Sequence, residues 1–397
     1  MSEMNENSKV SLHRYGPAAG LIGLIGVVAL LGGAMLSKET AAWQAYLFGW
    51  VCWTSLSIGC LGLLLLKHCL NAKWGLPVLR LMEAGASVTN FVILLLAFLP
   101  ILYTVVIGNP VLYLWADPAK LASDHVLHAK AWWLNPTGYA VRLFIYFAIF
   151  IFFSWKMSAS TIRQDASGNA NEQQMRANWA APGLVVFMLT VTAAFTDWVM
   201  SLEPYWSSTM YGPWWAVGSA LAALAFLTIT ATLNVDRDPY QGVVTHNWTR
   251  DMGNLMFTFT MLWGYTTFSQ YLIIWSGNLP EFATYFVRRS ENNWNAIGLA
   301  VMIGQFFVPF LALLTPRIKA QPQLLVKVCG WILVFRLVDM YYVIMPSMRQ
   351  SPVPSFWDAV ALLGLGGLWA FGFSKTIAKA PLMPTYDPRL MEAAHAH

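Results

Sequence analysis

Ten long apolar stretches constrain this chain more than any other feature. They run over approximately 17–36, 42–66, 82–107, 137–157, 179–203, 210–233, 252–274, 294–314, 327–345 and 356–375. Most exceed the ~18 residues that mark a transmembrane helix candidate. Backbone amides in oil must be satisfied within the chain, so each stretch reads as an α-helix. Only 11% of the 397 residues are charged, less than half the roughly one quarter typical of soluble domains. The predicted fold is all-α and integral to a membrane. A segment over 1–16 leads into a ten-helix domain over 17–380, followed by a tail over 381–397. Disorder, coiled coil, collagen and a small disulfide scaffold are excluded. The first stretch is longer than the apolar core of a signal peptide and reads as a retained helix.

Lys and Arg set the orientation. Sixteen of the 24 fall on the side of the termini and the even-numbered loops, and six fall on the other side. Arg142 and Arg336 lie inside spans. The positive-inside rule then places both termini in the cytoplasm, with the chain crossing its membrane in multiple passes. The net charge of +5 reflects this loop asymmetry, and no nucleic-acid partner is expected. Trp43, Trp50, Trp132, Trp133, Trp206, Trp214, Trp215 and Trp275 fall near predicted span ends, where indole rings favour the membrane–water boundary. Cys52, Cys60, Cys69 and Cys329 lack metal-site spacing and read as small hydrophobes. The outer loop over 108–136 suggests a surface helix from Ala119 to Trp133. Its His125 and His128 share one face without the further ligands a metal needs. The inner loop 158–178 reads as a flexible connector.

Ionisable groups inside spans are costly unless they face protein or water, so they carry the most information. Glu83, Ser87 and Asn90 are spaced to share one face of the third helix. Asp251, Asn254, Thr258, Tyr265 and Ser269 form a polar stripe on the seventh, about 27 Å long. A second group gathers toward the outer side. It comprises Asp197, Ser201 and Glu203 on the fifth span, Arg336, Asp339 and Tyr342 on the ninth, and Tyr139, Arg142 and Tyr146 on the fourth. Two half-paths for protons are expected, with Glu83 and Asp251 loading from the cytoplasm and Asp197, Asp339 and Glu203 leading outward. They would meet near Arg336 and Tyr265. Arg336 would hold neighbouring carboxylates ionised, with Arg142 acting likewise. The competing reading is that these groups tie helices together, at ~1 kcal/mol or less each. No histidine lies well inside a span to serve as a haem ligand. No dinucleotide fingerprint, phosphate loop or nucleophile elbow is present either. The chain by itself is expected to bind no cofactor, a quinone aside.

Three stretches resemble one family. They are Thr196-Asp197-Trp198-Val199-Met200-Ser201-Leu202-Glu203-Pro204, continuing to Trp206-Ser207-Ser208-Thr209; Met261-Leu262-Trp263-Gly264-Tyr265, continuing through Phe268-Ser269-Gln270-Tyr271-Leu272-Ile273-Ile274-Trp275 to Glu281; and Asp387-Pro388-Arg389-Leu390. Together they look like the NrfD/polysulfide-reductase-type membrane subunits, in particular the second such subunit of the bacterial alternative complex III, a quinol:cytochrome c oxidoreductase. The resemblance implies two four-helix bundles plus two peripheral helices. It implies multihaem and monohaem cytochrome c subunits, an iron–sulfur subunit and a sister NrfD-like subunit as partners, and association with a haem–copper oxidase. Haem c and iron–sulfur clusters would then reside in those partners. The sister subunit, beside the iron–sulfur protein, is the one expected to oxidise quinol. Asn254 and Tyr205 depart from the family pattern, which often has a basic residue and a His there. Proton translocation, with a quinone pocket as its alternative, is the expected role. A secondary transporter and a purely structural anchor for redox subunits are the rival classes.

Overall fold

The computed structural model describes residues 12–36 and 39–384. The motif Asp387–Leu390, most of the segment 1–16 and all of the tail beyond 384 lie outside the described residues. Every regular element among those described is helical. Ten long helices carry the fold, here named α1 (Gly16–Met35), α2 (Thr40–Cys69), α3 (Val88–Val106), α4 (Pro136–Ser167), α5 (Asn171–Trp198), α6 (Tyr211–Thr232), α7 (His246–Gly277), α8 (Trp294–Leu314), α9 (Pro322–Ile344) and α10 (Phe356–Ile377). Among the described residues nine helical segments are long and apolar enough to cross a membrane; α7, the remaining one, fails through its polar residues. The chain is a multi-pass membrane protein.

Helix ends follow local chemistry. Asn135 accepts from the Gly138 amide at 2.7 Å to start α4, with Pro136 in the first turn, and Gly168 ends it at φ +65°. Ser355 and Asp358 form a reciprocal capping box that starts α10. The helix α4 runs for 32 residues, about 48 Å at 1.5 Å per residue, well beyond its apolar stretch. The connector expected over 158–178 is accordingly only three residues long. Arg163 pairs with Glu172 across it at 3.1 Å, which favours helix over coil on both sides. The helix expected over Ala119–Trp133 is instead two short ones, Pro118–Ser123 and His125–Ala129. Asp117 caps the first and Asp124 the second, and Asp124 breaks the run by accepting from the Val126 and Leu127 amides.

The third span is broken. A short helix, Leu79–Gly85, stops before Ser87, whose hydroxyl accepts from the Asn90 amide at 3.1 Å and starts α3. The freed carbonyls find donors in the protein interior. Asn90 Nδ2 donates to Ala84 at 3.1 Å and Gly85 at 3.3 Å, Ser57 donates to Gly85 at 2.8 Å, and Ser154 donates to Ala86 at 2.5 Å. Glu83, Ser87 and Asn90 therefore do not form one helical stripe. The Ser87 hydroxyl and the Asn90 side-chain nitrogen serve the break, while Asn90 Oδ1 has no partner.

The helix α1 packs on α10, which also touches α2 and α3. Close approach needs glycine there: a Cβ on Gly26 would sit 2.5 Å from the Gly364 Cα. The helices α2 and α5 pack together, as do α3 with α4 and α4 with α5. The helix α6 contacts α2, α5, α7 and α9, and α8 packs on α7 and α9. Most of the tryptophans expected at the boundary are in the core instead. Trp43, Trp50, Trp206, Trp214 and Trp215 are buried, whereas Trp132 and Trp275 are exposed. The buried ones gain ring partners: Trp50 meets Phe98 at 4.4 Å and Trp198 at 4.8 Å, and Phe195 stacks on Trp215 at 4.4 Å. Phe91, Phe147 and Phe150 extend this aromatic layer between α3 and α4, with Phe91 and Phe150 stacked at 5.5 Å. Cys52, Cys60 and Cys329 are buried free thiols, and Cys69 is partly so.

Candidate functional site

Five of the in-span or span-end acids are buried, and each faces an arginine; Asp358, in the first turn of α10, pairs with Arg349 at 2.6 Å. Asp197, at the last turn of α5, is fully buried. Arg142 of α4 donates to its Oδ2 through Nε at 2.7 Å and to Oδ1 through Nη2 at 3.1 Å. Tyr146 donates to Oδ2 and the Trp133 indole to Oδ1, each at 2.8 Å. The guanidinium also lies over the Trp133 ring at 4.2 Å and donates to the Trp133 carbonyl at 2.9 Å. This carboxylate is saturated by four donated bonds. Tyr139 continues the network to Tyr113 at 3.2 Å, and Tyr113 donates to the Trp198 carbonyl at 2.8 Å.

Glu83 lies at the opposite end of α4. It accepts from Arg80 and from Thr161, each at 2.5 Å, and Arg80 also pairs with Asp165. From Arg142 to Thr161 is nineteen residues of one helix, about 28 Å. The two acid sites are thus separated by nearly the ~30 Å of a hydrocarbon core.

Glu203 follows α5 and sits with Asp197 at one end of the helices. Arg289 donates to its Oε1 at 2.8 Å, Ser347 donates to the same oxygen at 2.7 Å, and Arg288 stands at 3.9 Å. Arg289 also donates to the carbonyls of Tyr285 at 2.9 Å and Val343 at 2.6 Å. Its guanidinium covers the Tyr285 ring at 3.4 Å. The sequence reading did not name Arg289, because it lies in a loop; the buried aromatic neighbours that hold it give no local signal.

Asp339 and Arg336 pair within α9, as their spacing of three predicts. Arg336 is buried against the faces of Trp214 and Trp215, with centroids at 5.8 and 5.1 Å. A Cβ on Gly218 would lie 2.4 Å from the guanidinium carbon, so glycine makes the seat. Unlike Arg142, Arg336 leaves Nε and Nη2 without a partner. The Trp263 indole of α7 lies beside Asp339. Tyr342 is half-buried and points its hydroxyl toward Gly298 of α8.

The expected stripe on α7 is not part of this interior. Asp251, Asn254, Thr258 and Tyr265 are exposed on its outer side, Tyr265 by 65%. Thr258 donates back to the Asn254 carbonyl at 3.0 Å. The inward side carries Met252, Met256, Thr260 and Trp263, all buried. The two expected half-paths therefore do not meet at Tyr265, and Asp251 does not join Glu83. Polarity alone misassigned the face; the helical recurrence of Met252, Met256, Thr260 and Trp263 was the signal for the buried one.

Near Asp197, on the side of Trp133, a cleft of about 230 Å³ is lined by Lys130, Trp132, Trp133, Ser201, Pro204 and Trp206, among others. Lys130 donates to the Pro204 carbonyl at 2.6 Å, and burial pushes its ammonium down from the ordinary value. At the surface nearby, Asp124 accepts from the Tyr205 hydroxyl at 2.7 Å, which holds its carboxyl below the usual range. His125 and His128 are both exposed, and among the described residues no cluster of three or more metal-ligating side chains occurs. No protein-family model matches the sequence, and a search of curated proteins finds no match.

Proposed function

We propose that this chain is a membrane subunit that carries protons through its helical interior. In this reading it works as a subunit of a quinol:cytochrome c oxidoreductase of the alternative complex III type. The assembly is supported by the quoted resemblance to NrfD-like subunits, in particular the second one, ActF. Its partners would be the haem c and iron–sulfur subunits and the sister NrfD-like subunit, in a bacterial inner membrane with both termini cytoplasmic. The helix contacts suit two sets of four, α2–α5 and α6–α9, with α1 and α10 alongside.

One observation carries the proton role. Asp339 and Arg336 are buried together, and two nitrogens of the guanidinium, Nε and Nη2, have no protein acceptor. A fully structural pair would fill those donors, because buried unpaired donors are costly. Donors left over beside a carboxylate suit exchange with water. Asp197, by contrast, suits a clamp, since Arg142, Tyr146 and Trp133 fill both of its oxygens. Glu203 favours the anchor reading, since its oxygens are held by Arg289, Ser347 and Arg288.

The test is coupled proton movement in vesicles containing the intact assembly, with Asp339→Asn and Asp197→Asn. Coupling is expected to fall in Asp339→Asn and to change less in Asp197→Asn, with the assembly purified whole. Unchanged coupling in Asp339→Asn would sink the proton role. A quinone pocket is the second reading, favoured by the aromatic cleft beside Trp133. A photoreactive quinone that labels Trp132 or Trp133 would support it.

A further inference from the structure

The helix α8 contains a π-turn over Met302–Phe307, and inside it Gln305 is fully buried. Neither its amide oxygen nor its amide nitrogen bonds to any protein group. A buried primary amide that leaves all its positions unfilled is expensive, and π-turns recur at functional sites. The neighbouring residues fix where Gln305 stands. The Gly304 carbonyl accepts from the Trp331 indole at 2.7 Å, and a Cβ on Gly304 would lie 2.0 Å from the Phe335 ring. On the other side, the Phe306 ring lies 2.4 Å from where a Cβ on Gly264 would be. The residues flanking Gln305 therefore pack on α9 at Phe335, the residue before Arg336, and on α7 at Gly264, the residue after Trp263.

The helices that meet here hold further unfilled groups. Thr260 is fully buried and its hydroxyl has no partner. Other threonines of α7 behave differently: Thr258, Thr266 and Thr267 each donate to a carbonyl one turn back. Arg336, the residue after Phe335 on α9, leaves its Nε and Nη2 without a partner. An amide, a hydroxyl and a guanidinium from three helices supply both donors and acceptors. Internal water needs such a set, with two to four polar partners for each molecule.

We propose that Gln305 binds internal water at the junction of α7, α8 and α9, and that this water links Thr260 to the free side of the Arg336 guanidinium. The π-turn is the device that turns the Gln305 amide inward. Gln305 acts as a positioning residue: it holds water, and the charge of Arg336 orients it. That this water serves Asp339 in proton transfer rests on the function proposed above, whereas the binding site itself does not.

Radiolytic hydroxyl-radical footprinting of the full assembly tests the site, because bound water oxidises adjacent side chains that bulk solvent does not reach. Met256 and Trp263, both buried, are expected to be oxidised in the unaltered protein and to lose that labelling in Gln305→Leu. Thr260→Val removes the opposite wall and is expected to weaken labelling of Trp263, which keeps the test alive if Gln305→Leu does not assemble. Absence of labelling in the unaltered protein, or full labelling in either variant, overturns the proposal. If labelling behaves as expected but Asp339→Asn leaves coupling intact, the water site stands and the proton role falls.

Discussion

Asp197 and Asp339 are the same residue type, buried near the same end of the helices and each facing an arginine, yet their surroundings differ in kind. Around Asp197 every oxygen is matched, by Arg142, Tyr146 and Trp133. Around Asp339 the arginine is held by ring faces and by the space at Gly218, and two of its donors stay open. A saturated acid is fixed in place by its neighbours. An acid with an under-filled cation has room to exchange partners. Charge and burial alone do not separate a clamp from a conductor; the count of unfilled donors does.

The largest effect expected from breaking this contrast is at the clamp. Asp197→Ala leaves Arg142 without its anion and should cost about 3–5 kcal/mol, read from denaturant titration in detergent. A cost of about 1 kcal/mol or less, as for an exposed pair, would mean that saturation does not hold this end together. Next comes the seat of Arg336. Gly218→Ala forces a methyl against the guanidinium and should cost about 1–3 kcal/mol, the range for an overpacked core. It should also disturb coupling, so loss of stability with coupling retained would count against the exchange role. The smallest effects belong to the outer side of α7. Asp251→Asn and Tyr265→Phe should each stay within about 0.5 kcal/mol in the isolated chain, as surface changes do. A larger loss would place these groups against protein.

The helical architecture was legible because oil leaves the backbone few choices, and all ten long helices lie where the apolar stretches are. The partnership of Arg336 with Asp339 was legible from a spacing of three. The network of Asp197 with Arg142 was legible only as two nearby stripes, since it depends on the contact of α4 with α5. The break before Ser87 was hidden, because Glu83, Ser87 and Asn90 keep helical spacing through it and its carbonyls are satisfied by Ser57 and Ser154 from other helices. Gln305 passed unnoticed as one polar residue in an apolar stretch; its significance comes from the π-turn, which has no sequence signature here. The burial of most of the tryptophans was hidden for a related reason, since their ring partners come from other helices.

The layer formed by Trp50, Phe91, Phe98, Phe147, Phe150 and Trp198 separates the Glu83 site from the Asp197 site. It behaves as an insulator between two terminals. No side chain in that stack can pass a hydrogen ion, so the two acid sites are not joined through it. A leak-tight membrane with a working relay would then have to place its wire beyond this stack, among the helices that gather around Arg336.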